Sequence, residues 1–583
     1  MYSHKTAKNF AFWQAMSPSD AVSHAFRAHA AYDDPAMFIT LRDEADCVAD
    51  AKRLEAEGPA GKPLFGLPFA VKDNIDVAGL PTTAACPDAR YVPTVSAFAV
   101  ARLEAAGAIC IGKSNLDQFA TGLVGVRSPY GVPRNSIRQD LIPGGSSSGS
   151  AVAVGAGIAA FSLGTDTAGS GRIPAGLNGI VGLKPSLGML SATGMMPACR
   201  TLDTISIFAA STTDAALATS VAQAYDAADF MSRQLPDAGV SAPGKSFTVG
   251  VPRRNQRQFF GDAAAQAAYE ADLETLAALG GEIEEIDFEP FHAVARLLYE
   301  GPWVAERYHA VRALIESNPS ALHPVTHKII SGASKISAVD TFDAIYKLAD
   351  MKRQVAPVIE RLDCFAVPTL PAAYTVAEVE ADPVQLNSNL GTYTNFVNLL
   401  DMAGISVPVG TRSDGLPSSL TLIGPAGSDA FLAGVGQRLE SGVIEANEIA
   451  SRPGEILICV VGAHLSGMPL NHELTSRKAR LVAATRTAPD YALHALSGTV
   501  PPKPGLARVK PGNGVSIEVE VWALDAAGFG SFVDGVPAPL GIGTVRLEDG
   551  TQVNGFIAEG IAIEDATDIS SFGCWRRYIA SRS

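Results

Sequence analysis

The chain predicts an α/β fold with a small β-rich domain at its C-terminal end, and three observations carry that expectation. Helical and strand-like periodicities alternate through most of its length, starting with the amphipathic FAVARLEAAGA (98–108), followed at once by the strand-like ICIGK (109–113). Composition then shifts at 441–455, where SGVIEANEIASRPGE is polar and carries Pro453 and Gly454 before the apolar run ILICVVGAH. Finally, 583 residues at 47% hydrophobic content can bury more than one core.

Each element follows from its local pattern. AVAVGAGIAAFSLGTD (151–166) is built of small apolar residues and predicts a buried helix leading into a strand. FTVGVP is a strand, AAAQAAYEADLETLAALGG a helix closed by Gly280 and Gly281, and EIEEIDF the next strand. In LLYEGPWVAERYHAVRAL, Gly301 and Pro302 end one helix and open another. CFAVP, GISVPVG and SLTLIG read as further strands. These elements divide the chain into a domain over 1–440, a linker over 441–455 and a domain over 456–583, the last with strands in ILICVVG, SIEVEVWAL and GTVRLEDG.

Charge and cysteine usage exclude several classes. A net charge of −15 argues against nucleic acid or an anionic membrane as partner, and no apolar run is long enough to span a bilayer. The first residues, MYSHKTAKNFAFWQAM, lack the apolar segment of a signal peptide, so the expected setting is cytoplasmic. Seven scattered cysteines without CxxC spacing indicate neither a disulfide framework nor a zinc site. No metal or organic cofactor is expected.

The chemistry concentrates in Lys72 of FAVKDNID, Ser146 of GGSSSGS and Ser170 of GTDTAGSGRIP, the two serines 24 residues apart. A Ser/Lys pair supplies both nucleophile and base if burial keeps the lysine neutral. Ser/Gly-rich stretches are often flexible linkers. Here, however, the segment between them is apolar rather than polar, which favours precise packing.

These segments, together with RIPAGLNGIVGLKPS downstream, resemble the amidase signature family in order and content over roughly residues 20–440. The resemblance implies a mixed central sheet covered by helices and a Ser, cis-Ser, Lys triad. Ser170 would attack the amide carbonyl, passing its proton through Ser146 to Lys72, which returns it to the leaving amine. The backbone amides of Thr167, Ala168, Gly169 and Ser170 would form the oxyanion hole.

Within that family, Ala168 and Gly171 in GTDTAGSGR and the C-terminal segments GAHLSGMPLNHEL, TRTAPDYALHAL and FVDGVPAPLGIGTVRLEDG look like the allophanate hydrolases, whose tail is similar to the gamma-glutamyl cyclotransferase fold. The implied reaction is hydrolysis of allophanate, urea-1-carboxylate, to ammonia and carbon dioxide, late in urea or cyanurate breakdown. It implies Tyr299 and Arg307 as carboxylate readers, a homodimer, and urea carboxylase as a functional partner. Periodicity alone is equally consistent with Arg307 on a solvated helix face and Tyr299 as a core aromatic. Arg172 competes as an anion ligand, although ion pairing that holds the serine loop suits it better. His464 and His472 are candidates for binding or protonating the N-carboxycarbamate left by ammonia release. The alternatives are a broad acylamide amidase with an apolar acyl pocket, or a glutaminase-type component of an amidotransferase.

Overall fold

The computed structural model describes residues 6–443, 449, 451, 454–477 and 479–582. Eleven strands form one mixed sheet. At its centre Pro68–Lys72 runs parallel to both Ile109–Ser114 and Phe161–Asp166, and Phe161–Asp166 pairs antiparallel with Thr204–Ala209. Val181–Lys184 then leads through Met402–Thr411 and Pro417–Pro425 to Cys364–Pro368, Phe247–Pro252 and Gly281–Ile286. All six residues of Ile109–Ser114, Phe161–Asp166 and Thr204–Ala209 are buried, which explains why these strands read as continuous apolar or small-residue runs rather than alternating ones.

The helices follow the expected pattern. Phe98–Ala105, Ala263–Ala278 and the pair Glu289–Glu300 and Trp303–Ser317 stand where the periodicity placed them, the last two broken at Gly301 and Pro302. Ser148–Gly155 is buried along its whole length. Its small residues are a steric requirement, since a Cβ on Gly149 would lie 2.3 Å from Met37 O and 2.6 Å from Asn115 N. Its serines are stitched to neighbouring strands: Ser150 Oγ lies 2.7 Å from Ser114 Oγ and donates to Leu163 O at 2.9 Å. GGSSSGS is therefore a packed segment and not a linker.

The C-terminal region carries its own core around Trp522, Tyr491 and Trp575. Its six-stranded sheet runs Leu540–Arg546, Gln552–Ala558, Glu455–Val460, Glu518–Asp525, Arg480–Arg486 and Ala242–Pro243. The last of these strands comes from the N-terminal part of the chain and pairs parallel with Arg480–Arg486. A two-residue strand carries no periodicity, so nothing in the sequence marks this crossing. Further ties between the two parts are Arg577 Nη2 donating to Thr248 Oγ1 at 2.7 Å and Lys245 N donating to Glu548 Oε1 at 3.2 Å. Of the linker expected over 441–455, residues 444–448, 450 and 452–453 lie outside the described residues. Before them, Gly442, in the left-handed conformation, caps the Asp429–Ser441 helix.

No helix among the described residues is long and apolar enough to cross a membrane. At the sheet's centre, Phe69 and Phe161 on adjacent strands stack with centroids 5.0 Å apart, both fully buried. Truncating Phe161 to alanine removes that contact and leaves a cavity under the strand that leads into the loop carrying Ser170. Urea denaturation of Phe161→Ala is expected to show a loss of about 3–5 kcal/mol.

Candidate active site

Lys72 is the last residue of a wholly buried strand, and its side chain is inaccessible to solvent. Its Nζ donates to Ser146 Oγ and to Thr165 Oγ1, both at 2.7 Å. Burial is the main influence on this ammonium and pulls its pKa down to about 7, with Asp117, Asp203 and Asp166 opposing the shift and Arg307 adding to it. The lysine is thus poised to be neutral near neutral pH. The peptide bond before Ser146 is cis, as the family resemblance implied.

Ser170 sits on the turn after Phe161–Asp166, 2% exposed, and its hydroxyl makes no hydrogen bond among the described residues. The turn is shaped by Asp166, whose carboxylate accepts from the amides of Gly169 and Gly171, both at 2.9 Å, and from Arg172 Nε and Nη2 at 2.9 and 3.0 Å. Burial works against this carboxylate, but the paired guanidinium holds it below the usual range. Arg172 is therefore tied to the loop through Nε and Nη2, while its Nη1 has no partner among the described residues. The same contacts correct one expectation: the Gly169 amide is spent on Asp166. The amides of Thr167, Ala168 and Ser170 are engaged by no acceptor among the described residues. At Gly169 the backbone has φ +131° and a Cβ would meet Thr394 Oγ1 at 2.5 Å, so only glycine fits.

Arg307 is buried within the molecule, only 2% exposed. A solvated helix face is ruled out. Its Nη1 reaches Ala120 O at 3.3 Å and Thr121 Oγ1 at 3.2 Å, while Nε and Nη2 have no partner among the described residues. Its guanidinium lies 5.5 Å from the centre of the Tyr299 ring, and it influences the protonation of both Lys72 and Asp203. Tyr299 is half-buried at the end of its helix. A buried guanidinium with two unmet donor groups has the chemistry to pair with an anion.

In the C-terminal region His464 Nε2 lies 3.0 Å from Glu473 Oε2, and its ring stacks on Phe556 at 5.2 Å. Burial keeps its pKa below the ordinary value, with Glu473 opposing. His472 is exposed at the start of a short helix, its Nδ1 2.9 Å from Pro469 O.

Sequence reasoning missed several participants. Thr165 lies inside the GTDTAGS segment already singled out, so its place in that segment was a usable signal. Asp203 accepts from Thr167 Oγ1 and from the amides of Ala198 and Cys199, and burial raises its pKa to about 6. Thr394 donates to Ala168 O at 2.6 Å, and Asn398 Nδ2 bridges Asp166 O at 2.9 Å and Leu202 O at 2.8 Å. These last two come from more than 220 residues away, and no local pattern announces them.

The Amidase family model matches residues 20–432. The chain belongs to the amidase family. A second model, the Allophanate hydrolase C-terminal domain, matches residues 456–580. The urea amidolyase of Lachancea kluyveri is 42% identical over 575 residues, which is 94% of this chain and 31% of that protein. This amidase thus spans about a third of the length of the curated urea amidolyases it matches. The solved allophanate hydrolase of Kluyveromyces lactis superposes with a TM-score of 0.74 at 40% identity, covering 99% of each chain. A glutamyl-tRNA(Gln) amidotransferase component from Acidobacterium capsulatum is 34% identical over 67% of this chain and 87% of its own length.

A neutral Lys72 can accept a proton and its ammonium cannot, so the reactivity of the site is expected to rise with pH until Lys72 is deprotonated. Covalent labelling of Ser170 by a fluorophosphonate should accelerate about tenfold per pH unit below about 7 and level off above it. A labelling rate flat between pH 5.5 and 8 would remove Lys72 as the base.

Proposed function

We propose that the chain hydrolyses allophanate, with Arg307 as the carboxylate clamp. The observation that carries this reading is the buried guanidinium with two unpaired donor groups, in the electrostatic reach of Lys72 and beside Tyr299. A general acylamide amidase would want an apolar pocket there, because an unpaired buried cation disfavours a neutral acyl chain. The name allophanate hydrolase borne by the K. lactis structure supports the same substrate.

In this mechanism the carboxylate of allophanate meets Arg307 Nε and Nη2 and lies against the Tyr299 hydroxyl, which brings the terminal amide over Ser170. Ser170 Oγ attacks the carbonyl carbon, its proton moves to Ser146 and the Ser146 proton moves to Lys72. The oxyanion is met by the free amides among Thr167, Ala168 and Ser170. Lys72 returns the proton through Ser146 to nitrogen, the C–N bond breaks and ammonia leaves. Water, activated by the same relay, then cleaves the acyl-enzyme to N-carboxycarbamate, which loses carbon dioxide.

The organisation proposed with this reading is an amidase unit over 1–440 and a C-terminal unit over 456–583 of gamma-glutamyl cyclotransferase-like kind. The His464–Glu473 pair is the better placed of the two histidine candidates to handle a proton in the decarboxylation, since His472 is exposed and bound only locally. A homodimer and a urea carboxylase partner complete the proposal, the latter supported by relatives named urea amidolyase that extend well beyond this chain. The seven buried unpaired thiols support a reducing, cytoplasmic setting.

The test is steady-state ammonia release from allophanate, malonamate, acetamide and an aryl amide. Allophanate is expected to be preferred, and Ser170→Ala to abolish release. Arg307→Ala should raise KM for allophanate by an amount corresponding to about 2–5 kcal/mol while acetamide turnover changes little. Preference for the aryl amide would overturn the reading.

A further inference from the structure

Between Ser146 and Arg307 runs the loop 117–127, and its hydrogen bonds reach both. Asp117 N donates to Ser146 O at 3.0 Å, and Leu123 O accepts from Gly145 N at 2.8 Å. The Asp117 carboxylate closes the loop on itself by accepting from Gly125 N and Arg127 N, both at 2.9 Å. It packs so closely on Gly122 and Gly145 that neither position has room for a Cβ. Within this frame Phe119 and Ala120 both hold φ 51°. Two consecutive non-glycine residues in the left-handed region persist only where their surroundings over-determine them. The turn they make carries Ala120 O and the Thr121 hydroxyl to Arg307.

Thr121 is fully buried and is the joint of this arrangement. Its hydroxyl donates to Phe119 O at 3.2 Å, which commits the proton and leaves the oxygen to accept from Arg307 Nη1, also at 3.2 Å. Its carbonyl accepts from Arg127 Nη1 at 2.8 Å, and Arg127 Nη2 donates to Pro383 O at 2.6 Å. One residue is thus gripped from two sides by buried guanidinium groups. On Arg307 the protein occupies Nη1 alone. Nε and Nη2, which form the other edge of the planar fork, stay without a partner among the described residues, and their spacing matches the two oxygens of a carboxylate. Were the Thr121 hydroxyl removed, Nη1 would keep Ala120 O at 3.3 Å, and a single long hydrogen bond does not fix the rotation of the fork.

We propose that Thr121 is a positioning residue for substrate recognition: its hydroxyl selects the edge of Arg307 that faces the substrate carboxylate, and the loop 117–127 holds that edge in register with Ser146. This inference rests on the reading of Arg307 as the carboxylate clamp. Thr121 acts through Arg307 and touches no substrate itself. Register follows from the short path between the two ends, since Asp117 N is bonded to Ser146 O and Thr121 lies four residues further on. A clamp turned to its other edge would still attract the carboxylate, but it would no longer meet it with two parallel hydrogen bonds.

The experiment joins calorimetric titration of full-length Ser170→Ala protein with malonamate, which keeps the carboxylate, to a double-mutant cycle on allophanate hydrolysis. Thr121→Val preserves the shape of the side chain and removes the acceptor. It is expected to weaken malonamate binding about tenfold, and Thr121→Ser to return it to within about twofold of the parent. With Ser170 intact, Thr121→Val should raise KM for allophanate about tenfold while kcat falls less than about threefold. In kcat/KM, Thr121→Val should add almost nothing once Arg307 is replaced by alanine, because a residue that acts through Arg307 has no route without it. A loss that persists in full beside Arg307→Ala, a serine variant as impaired as the valine one, or unchanged malonamate binding in Thr121→Val overturns the proposal. Should Thr121→Val fail to fold, Thr121→Ala takes its place in both measurements. Malonamate binding indifferent to Arg307→Ala would remove the clamp and this inference with it, whereas a loss in Arg307→Ala that Thr121→Val does not share removes this inference alone.

Discussion

The buried Asp166–Arg172 pair is the contact on which the rest of the site depends. Both side chains are fully out of solvent, where an ion pair demands further hydrogen bonds to offset desolvation, and of its side-chain polar atoms Arg172 Nη1 is left without a partner among the described residues. Asp166 meets that demand with the amides of Gly169 and Gly171, and Arg172 Nη2 adds Thr394 O at 3.3 Å and Asn398 Oδ1 at 3.5 Å. The requirement to satisfy two buried charges therefore bends the chain after Asp166 into the turn that presents Ser170. It also draws in the 394–398 segment, so that the turn is fixed from both sides.

Lys72 obeys the opposite logic. Among the described residues it has no carboxylate in hydrogen-bond contact and donates to two hydroxyls, so burial wins and the lysine approaches neutrality. Lys113 is equally buried but lies 3.3 Å from Asp73, a structural pair with its partner supplied. The two lysines share the same burial and differ in what faces them. Burial lowers both ammonium pKa values, and at Lys113 the adjacent Asp73 opposes that shift.

The C-terminal region is tied to the rest of the chain through shared secondary structure and hydrogen bonds. Its sheet takes Ala242–Pro243 as an edge strand, and Arg577 reaches back to Thr248. Glu520 accepts from Ser466 N at 2.8 Å and from Arg576 Nη2 at 2.8 Å, so the loop carrying His464 is held by the same charged cluster that faces the amidase half through Asp363. The position of one part is thus mechanically continuous with the other.

By itself, the sequence determined the local order of the molecule. Apolar runs and small-residue segments placed the central strands, Gly301–Pro302 placed a helix break, and three motifs named Lys72, Ser146 and Ser170. These are properties of near neighbours, and spacing encodes them. Tertiary structure alone decided that Gly169 spends its amide on Asp166, that Thr394 and Asn398 brace the turn carrying Ser170, that Arg307 is buried with donors to spare, and that the C-terminal sheet borrows a strand. Each of these depends on residues far apart in the chain competing for the same buried polar atom, and that competition is settled only when the packing is complete.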